Sequence, residues 1–315
     1  MANAILLALA PVFFVLALGI AAGKLHIVDN HQVGGLNALV MDFALPASLF
    51  VATASAPRAE MLGQAPLFAI LGGVMLLLYF AWYIFQRVFA KTGKSDASLQ
   101  ALTIAFPNLA GVGLPIAAAV LGPQGAVQVA VAVAAGSILV SPLTLIVLEL
   151  GSSKNDASES STRKMLRALT RALTKPVVLA PMLGIVCSFS GLALGPVVEA
   201  SLLLIGHAAA GVALFLTGLI LSAQSFRLDW KVVGATAMAD VIRPLLAAAI
   251  ALLLPIPWEV ARVAILMAAV PSGFFGILFA VNYRLDSATT GSMVIASTVF
   301  SIVTMAIAIA VLFPR

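Results

Sequence analysis

The stretch AFPNLAGVGLPI, residues 105–116, interrupts an otherwise apolar segment and decides how this part of the chain can fold. Pro107 and Pro115 each lack a backbone donor and disfavour an unbroken helix. Asn108 places an amide among apolar residues, and Gly111 relaxes the backbone beside it. Apolar sequence nevertheless continues on both sides of the stretch. The pattern predicts a helix that is broken around a polar centre.

Composition places this helix in a membrane. Of the 315 residues, 62% are hydrophobic and 9% are charged, whereas soluble domains carry about 25% charged residues. Apolar runs long enough to cross a bilayer recur along the chain, and the short alternating segments of a membrane β-barrel do not occur in the sequence. We therefore predict an all-α polytopic membrane protein. A single cysteine and the lack of a metal-binding motif predict no disulfide, no metal and no other cofactor.

The apolar runs predict ten transmembrane helices, five before and five after the one long polar stretch. Their predicted ranges are 5–23, 33–54, 65–90, 98–121, 124–149, 176–191, 196–224, 231–254, 259–282 and 287–313. The chain is thereby divided into a first five-helix repeat at 1–150, a connecting segment at 151–175 and a second five-helix repeat at 176–315.

The connecting segment begins serine-rich and ends basic and amphipathic, which is typical of a flexible loop leading into a helix at the membrane interface. With ten spans, thirteen lysines and arginines fall on the side of this segment and three on the other. Because positive charge is enriched in cytoplasmic loops, we predict a cytoplasmic connecting segment and both termini outside. The net charge of +5 then reflects topology and not binding to nucleic acid.

The two halves of the chain resemble each other. AFPN at 105–108 has a counterpart in AVPS at 269–272, 164 residues later. Each lies in the fourth span of its half, and a glycine-containing stretch and a serine-bearing final span follow it. A repeat of five spans inserts in the opposite orientation to its copy. The pattern predicts an inverted repeat, which is typical of secondary transporters that work by alternating access.

Three longer motifs resemble the auxin efflux carrier family, in its bacterial branch. They are NALVMDFALPASLF at 37–50, FPNLAGVGLPIAAAVLGPQG at 106–125 and VPSGFFGILFAVNYRLDSATTGSMVIASTVFSIVT at 270–304. The resemblance implies ten helices, with the fourth and ninth broken and crossing in mid-membrane. It also implies transport of a small carboxylate across a bacterial inner membrane. Bacterial members are similar to malonate and malate carriers, so a malonate-like dicarboxylate is favoured.

The two breaks predict the substrate site. Unpaired backbone groups are costly in hydrocarbon, so backbone at the two prolines is expected to line a polar cavity. Helix segments that restart there present N–H groups to an anion, and the polar residues just after the prolines can donate to a carboxylate. A simple proline kink is the competing interpretation, and the occurrence of two prolines at matching places favours a binding site. The predicted binding residues are Pro107, Asn108, Gly111, Pro271, Ser272 and Gly273.

Arg243 and Asp240 lie on one face of the eighth predicted span. A central arginine costs about 2.5–3.5 kcal/mol on insertion scales, so Arg243 is expected to face the interior with a partner. Two interpretations stay open at this point. The residues form a structural ion pair, or Arg243 joins the substrate site and attracts the second carboxylate of a dianion.

Asp42 and His207 are titratable residues inside the second and seventh spans, about one repeat length apart. Together with Asp240 they are candidates for proton coupling. For His207 a packing role is the competing interpretation. The predicted partners are thus a small carboxylate, the lipid bilayer and protons, without nucleic acid; a homodimer is one option for the oligomeric state.

Other functions make different demands on the sequence. A sodium-coupled organic anion symporter needs clustered oxygen ligands, yet spans 98–121 and 259–282 have no acidic residue in their interiors. Proton coupling or uniport is therefore favoured over sodium coupling. An anion channel does not require the matching halves. An enzyme needs a nucleophile–base pair or a metal cluster, and neither is found in the sequence, so no enzyme is predicted.

Overall fold

A computed structural model describes residues 2–29, 32–122, 125–152, 161–223 and 226–314. The α-helices in chain order are α1 (Ala2–Lys24), α2 (Val33–Ala38), α3 (Leu45–Ala54), α4 (Arg58–Gly63), α5 (Ala65–Val88), α6 (Lys94–Ala105), α7 (Leu114–Leu121), α8 (Gly125–Ala135), α9 (Ser141–Ser152), α10 (Ser161–Leu173), α11 (Pro176–Ser190), α12 (Pro196–Gly206), α13 (Ala208–Ser222), α14 (Trp230–Ala237), α15 (Arg243–Leu253), α16 (Trp258–Ala269), α17 (Phe275–Asn282) and α18 (Ala288–Leu312). Four π-helical segments join some of these helices, at Leu39–Ala44, Leu109–Gly113, Gly136–Val140 and Met238–Ile242.

The helices follow the predicted spans closely, and the protein is an all-helical, polytopic membrane protein over the residues described. Six helical runs are long and apolar enough to cross a membrane: Val33–Ala54, Ala65–Val88, Val127–Gly151, Pro196–Ile220, Trp230–Leu253 and Ala288–Leu312. Three shorter apolar helices are Phe13–Lys24, Leu109–Leu121 and Pro176–Ser190. The count of ten crossings stays a prediction.

The distribution of side chains suits a lipid environment. Large apolar residues on the outer surface are strongly exposed, and Leu204, Leu252 and Leu253 retain 82%, 76% and 84% of their accessible area. Polar residues such as Thr144 and Ser301 are instead fully buried between helices. Lipid tails solvate the apolar surface, while polar groups find partners only inside the bundle.

Both helices that carry the repeated proline motifs are interrupted. α6 ends at Ala105, and helical structure resumes at Leu109. α16 ends at Ala269, and α17 begins at Phe275. The first interruption is shorter than the proline-to-glycine stretch suggests, because Gly111 already lies in a π-helical segment.

Each of the four π-helical segments ends two residues before a proline. The prolines are Pro46, Pro115, Pro142 and Pro244, and each lies at the start of the α-helix that follows. Proline removes one helical N–H and its ring collides with the carbonyl four residues earlier. A turn with one additional residue moves that carbonyl away from the ring, so the helix continues without a sharp break. Among these displaced carbonyls are those of Asp42 and Asp240.

Helices in the two halves correspond by a nearly constant shift in residue number. α6 and α16 have bounds that differ by 164, and α5 and the run Trp230–Leu253 have bounds that differ by 165. Packing follows the same relation, since α1 packs on α13 and α3 packs on α11.

Close glycine contacts repeat with this shift. A Cβ atom added to Gly19 would lie 2.1 Å from the Phe215 carbonyl oxygen, and one added to Gly184 would lie 2.7 Å from the Phe50 carbonyl oxygen. The residues of the two contacts are related by a shift of 165. In both places the absence of a side chain lets two helix backbones approach.

The connecting segment contains helix α10, whose sequence STRKMLRALTRAL alternates basic and apolar positions at helical spacing. The serine-rich first part of the predicted segment, 153–160, lies outside the described residues. The boundaries of the two repeats and the location of this segment stay predictions.

Candidate substrate site at the helix crossing

The two interrupted helices meet through their backbones. Asn108 N donates to the Pro271 carbonyl oxygen at 2.8 Å, and Gly273 N donates to the Phe106 carbonyl oxygen at 2.9 Å. Pro107 and Ser272 thereby form an isolated antiparallel bridge. Proline ends each preceding helix, and the extended residues beside it satisfy their backbone groups across the crossing. The structure thus brings together the predicted residues Pro107, Asn108, Pro271, Ser272 and Gly273.

Glycine is required at one point of this crossing. A Cβ atom added to Gly273 would lie 2.3 Å from the Phe106 carbonyl oxygen, well inside van der Waals contact. The hydrogen bond between the two residues depends on this approach, so Gly273 serves the crossing through its small size.

Asn108 has a double role in the geometry. Its Oδ1 accepts from Gly111 N at 3.0 Å and so caps the π-helical segment that begins at Leu109. Its Nδ2 donates no hydrogen bond to the residues that the structure describes, and the residue is 3% exposed. One end of the amide is therefore fixed, and the other end is available as a donor.

Ser272 lies opposite, completely buried. Its backbone N–H donates to Ser297 Oγ at 2.8 Å, whereas its own Oγ has no hydrogen-bond partner within the described part of the chain. A buried hydroxyl without a partner costs free energy, and ligand sites are a common reason for one.

Arg243 is fully buried and donates to backbone carbonyls of both interrupted helices. Nε donates to the Ala268 oxygen at 2.8 Å, Nη1 to the Ile104 oxygen and Nη2 to the Val270 oxygen. Ile104 and Ala268 occupy the same position in α6 and α16 under the shift of 164. Their usual helical donors, four residues later, are the amides of Asn108 and Ser272, which bond elsewhere. One guanidinium therefore caps the carboxyl-terminal ends of both helices.

Asp240 is 1% exposed and lies in the π-helical segment one turn before Arg243. Its Oδ1 accepts from Ser297 Oγ at 2.7 Å, and its Oδ2 has no partner among the described residues. The structure forms no ion pair between Asp240 and Arg243 in the part of the chain that it describes. The donors of Arg243 are directed to backbone instead, which differs from the ion-pair interpretation of the sequence.

Aromatic rings surround a very small cavity at the crossing. Phe106 stacks on Phe275 with ring centroids 4.6 Å apart, and Phe274 stacks on Phe275 at 5.6 Å. The cavity measures about 10 Å³ and is lined by these rings together with residues that include Asn108 and Leu45. This volume holds about one water molecule. The cavity therefore has no room for a ligand larger than a water molecule.

Asp42 and His207 lie outside this arrangement. Asp42 is exposed on the π-helical segment Leu39–Ala44, and His207 is exposed at the turn between α12 and α13. Neither side chain belongs to the hydrogen-bond network of Asp240. Their predicted part in proton coupling stays a hypothesis, without the burial that the sequence suggested.

The sequence interpretation did not single out Ser297, although it noted the serine-bearing final span. A serine in the last span of the second half gives no local indication that it bonds a residue of another helix. The prolines that follow Asp42 and Asp240 by four positions were the available signal for the π-helical segments.

Comparison with known proteins shows that nearly the whole chain is similar to transporters. The family model described as "Membrane transport protein" matches residues 4–309. The chain is 26% identical over 298 residues to an uncharacterized transporter, YfdV, of Escherichia coli K12, with 94% of each chain covered. It is 24% identical to an uncharacterized transporter of Methanothermobacter thermautotrophicus, covering 93% and 94% of the two chains. It is also 26% identical to auxin efflux carrier component 5 of Arabidopsis thaliana, covering 94% and 93%.

Proposed function

From the premise that this chain belongs to the membrane transport protein family, which includes the auxin efflux carriers, we propose that it is a secondary carrier for a small carboxylate. The family is one of transporters and not of enzymes, and the resemblance inferred from the sequence motifs is confirmed. A malonate-like dicarboxylate is the favoured substrate. Carriage proceeds by alternating access across the bacterial plasma membrane.

The proposed architecture is ten spans in two inverted five-helix repeats. Its support is the equal shift of helix bounds, the matching helix pairs and the two glycine contacts. An odd number of spans in each repeat gives opposite orientations, and the charge asymmetry then places both termini outside.

The observation that carries the proposed site is how charge is distributed at the crossing. The carboxyl-terminal ends of α6 and α16 carry partial negative charge, which the Arg243 guanidinium offsets. The amino-terminal ends that follow the breaks carry partial positive charge. They adjoin the Asn108 side chain, in which Oδ1 is bonded and Nδ2 is not, and the unpaired Ser272 hydroxyl. An anion is the ligand that this arrangement favours.

Arg243 contributes to this site through its field. Its bonds to three carbonyls hold the guanidinium beside the crossing, so the positive charge stays near the substrate without forming a tight ion pair. A dianion gains more from this field than a monoanion does. Neutral donors at the contact itself allow release, which a carrier needs.

Coupling to protons, or no coupling, is preferred over sodium coupling. The interiors of both interrupted helices lack the acidic residues that would supply charged oxygen ligands. Asp240, close to the crossing and with one unpaired oxygen, provides a place for a proton. The sodium symporter and the anion channel are outcomes that the following experiment separates.

The test is uptake of radiolabelled malonate, malate and acetate into proteoliposomes that contain the purified protein. The expected result is saturable uptake of the dicarboxylates, with counterflow of labelled against unlabelled substrate. Uptake that requires a sodium gradient would identify the symporter instead. Flux without saturation and without counterflow would identify a channel and would contradict the carrier.

A further inference from the structure

A continuous hydrogen-bonded path joins a buried carboxylate to the crossing helices. Ser297 Oγ donates to Asp240 Oδ1 at 2.7 Å and accepts from Ser272 N at 2.8 Å. Ser297 lies on α18, Asp240 on the segment Met238–Ile242, and Ser272 between α16 and α17. Three separate elements thus meet at one hydroxyl, and all three residues are at most 1% exposed.

The strength of the hydrogen bonds that Ser297 Oγ makes depends on whether Asp240 is ionised. An ionised carboxylate only accepts hydrogen bonds, so the Ser297 hydrogen must point to Asp240. A proton binds at the unpaired Oδ2, and the bond from Ser297 Oγ to Oδ1 then has a neutral acceptor and becomes weaker. Because hydrogen bonds in a chain polarise one another, the bond from Ser272 N to Ser297 Oγ becomes weaker as well.

Few other titratable residues lie on the helices that pack around Asp240. The segment that carries Asp240 packs against α6, α14, α15, α16 and α18. Arg243 is the titratable residue nearest in the chain, and its guanidinium is bonded to carbonyls. No titratable side chain occurs in α18. The remaining titratable residues of these helices lie near the helix starts: Lys94, Asp96, Lys231, Glu259 and Arg262.

We infer that Asp240 binds the coupling proton of the carrier and that Ser297 transmits its protonation to the crossing through Ser272. Ser297 is a positioning residue, since it acts through Asp240 and through the Ser272 backbone. The charge of Asp240 opposes a nearby anion, and neutralising it favours the loaded site. Proton and carboxylate therefore bind together. This inference rests on the proposed function and extends it to the coupling site.

The test compares two rates in proteoliposomes, malonate exchange at equal pH and malonate uptake driven by an inward proton gradient. Asp240→Asn and Ser297→Ala are expected to retain exchange and to lose the stimulation by the gradient. Ser301→Ala is the matched control, because Ser301 is a buried serine one turn later on α18 whose Oγ bonds the Thr298 carbonyl oxygen at 2.7 Å. This variant is expected to keep the stimulation of the wild type.

If Ser297→Ala retains the stimulation by the gradient, Ser297 does not transmit the protonation of Asp240. If Asp240→Asn retains it, Asp240 does not bind the coupling proton. A wild type that exchanges malonate but ignores the gradient overturns the inference and leaves the carrier intact. A wild type that exchanges no carboxylate contradicts the proposed function. In that case infrared difference spectra still decide on the proton site, without substrate. The carbonyl band of a protonated buried acid is expected on acidification, absent in Asp240→Asn and shifted in Ser297→Ala; an unchanged band in both overturns the inference.

Discussion

The backbone amide of Asn108 donates to the carbonyl of Pro271 at 2.8 Å, and this bond joins two interrupted helices from distant parts of the chain. This bond is between backbone groups, so the Asn108 side chain takes no part in it. The side chains at the crossing are consequently left to cap, to line the cavity and to meet a ligand.

Replacing Asn108 by alanine is expected to weaken malonate binding by about 10-fold to 100-fold, since a hydrogen bond to a charged group contributes roughly 1.5–3 kcal/mol. Calorimetry on the purified variant measures the loss. The matched control is Asn37→Ala, because Asn37 is a buried asparagine whose Nδ2 bonds the Leu278 carbonyl oxygen at 3.1 Å. Its binding should remain that of the wild type.

Asn108→Asp separates capping from binding. The carboxylate still accepts from Gly111 N, so the helix start and the melting temperature should be preserved. Binding of an anion should be lost, because a donor is replaced by negative charge. Wild-type affinity in this variant would show that the residue serves only as a cap.

Gly273→Ala is expected to prevent the crossing from closing, because the new Cβ atom would meet the Phe106 carbonyl oxygen at 2.3 Å. Transport should be abolished and the melting temperature in detergent lowered. Gly73→Ala is the matched control in helix α5, where nothing lies within 4 Å of the added atom. This control should be neutral or stabilised by about 0.5–1 kcal/mol.

Arg243→Gln is expected to lower the melting temperature strongly. Each buried carbonyl left without a donor costs about 1–3 kcal/mol, and the guanidinium serves three of them. Arg243→Lys keeps the charge but lacks the planar fork, so its stability should lie between the two. If the lysine protein is folded, its preference for malonate over acetate should persist; equal binding of the two would contradict the role of the field.

The proposed topology is tested by labelling single cysteines in a Cys187→Ser protein. Thr162→Cys, in the exposed part of α10, should resist an impermeant reagent added to intact cells, and react after permeabilisation. Arg58 is exposed at the start of α4, and Arg58→Cys should react from outside without permeabilisation. The reverse pattern would place the connecting segment outside.

Local sequence predicted the interruptions because proline acts on its own helix. Pro107 and Pro271 each remove a backbone donor whatever the tertiary contacts of the helix are. The positions of the breaks could therefore be predicted from the sequence. The shift of 164 residues was likewise visible in the motifs themselves. These features need no knowledge of which helices become neighbours.

The partners of Arg243 were not predictable in the same way. A buried arginine suggests an acidic partner, and Asp240 was the nearest in sequence. The actual acceptors are backbone carbonyls of Ile104, Ala268 and Val270, and every residue type carries a carbonyl. These carbonyls lack helical donors because α6 and α16 both end at the crossing. Their need for a donor therefore arises from the tertiary structure and cannot be recognised in the local sequence.

The capping of both interrupted helices by one arginine makes the two halves of the chain depend on each other. Leu78 occupies the position in the first half that corresponds to Arg243. A protein assembled from two copies of the first half would have no guanidinium for either helix end. Two copies of the second half would direct two guanidinium groups to one set of carbonyls. In the proposed two-repeat architecture the halves are therefore interdependent, and neither can be exchanged for a duplicate of the other.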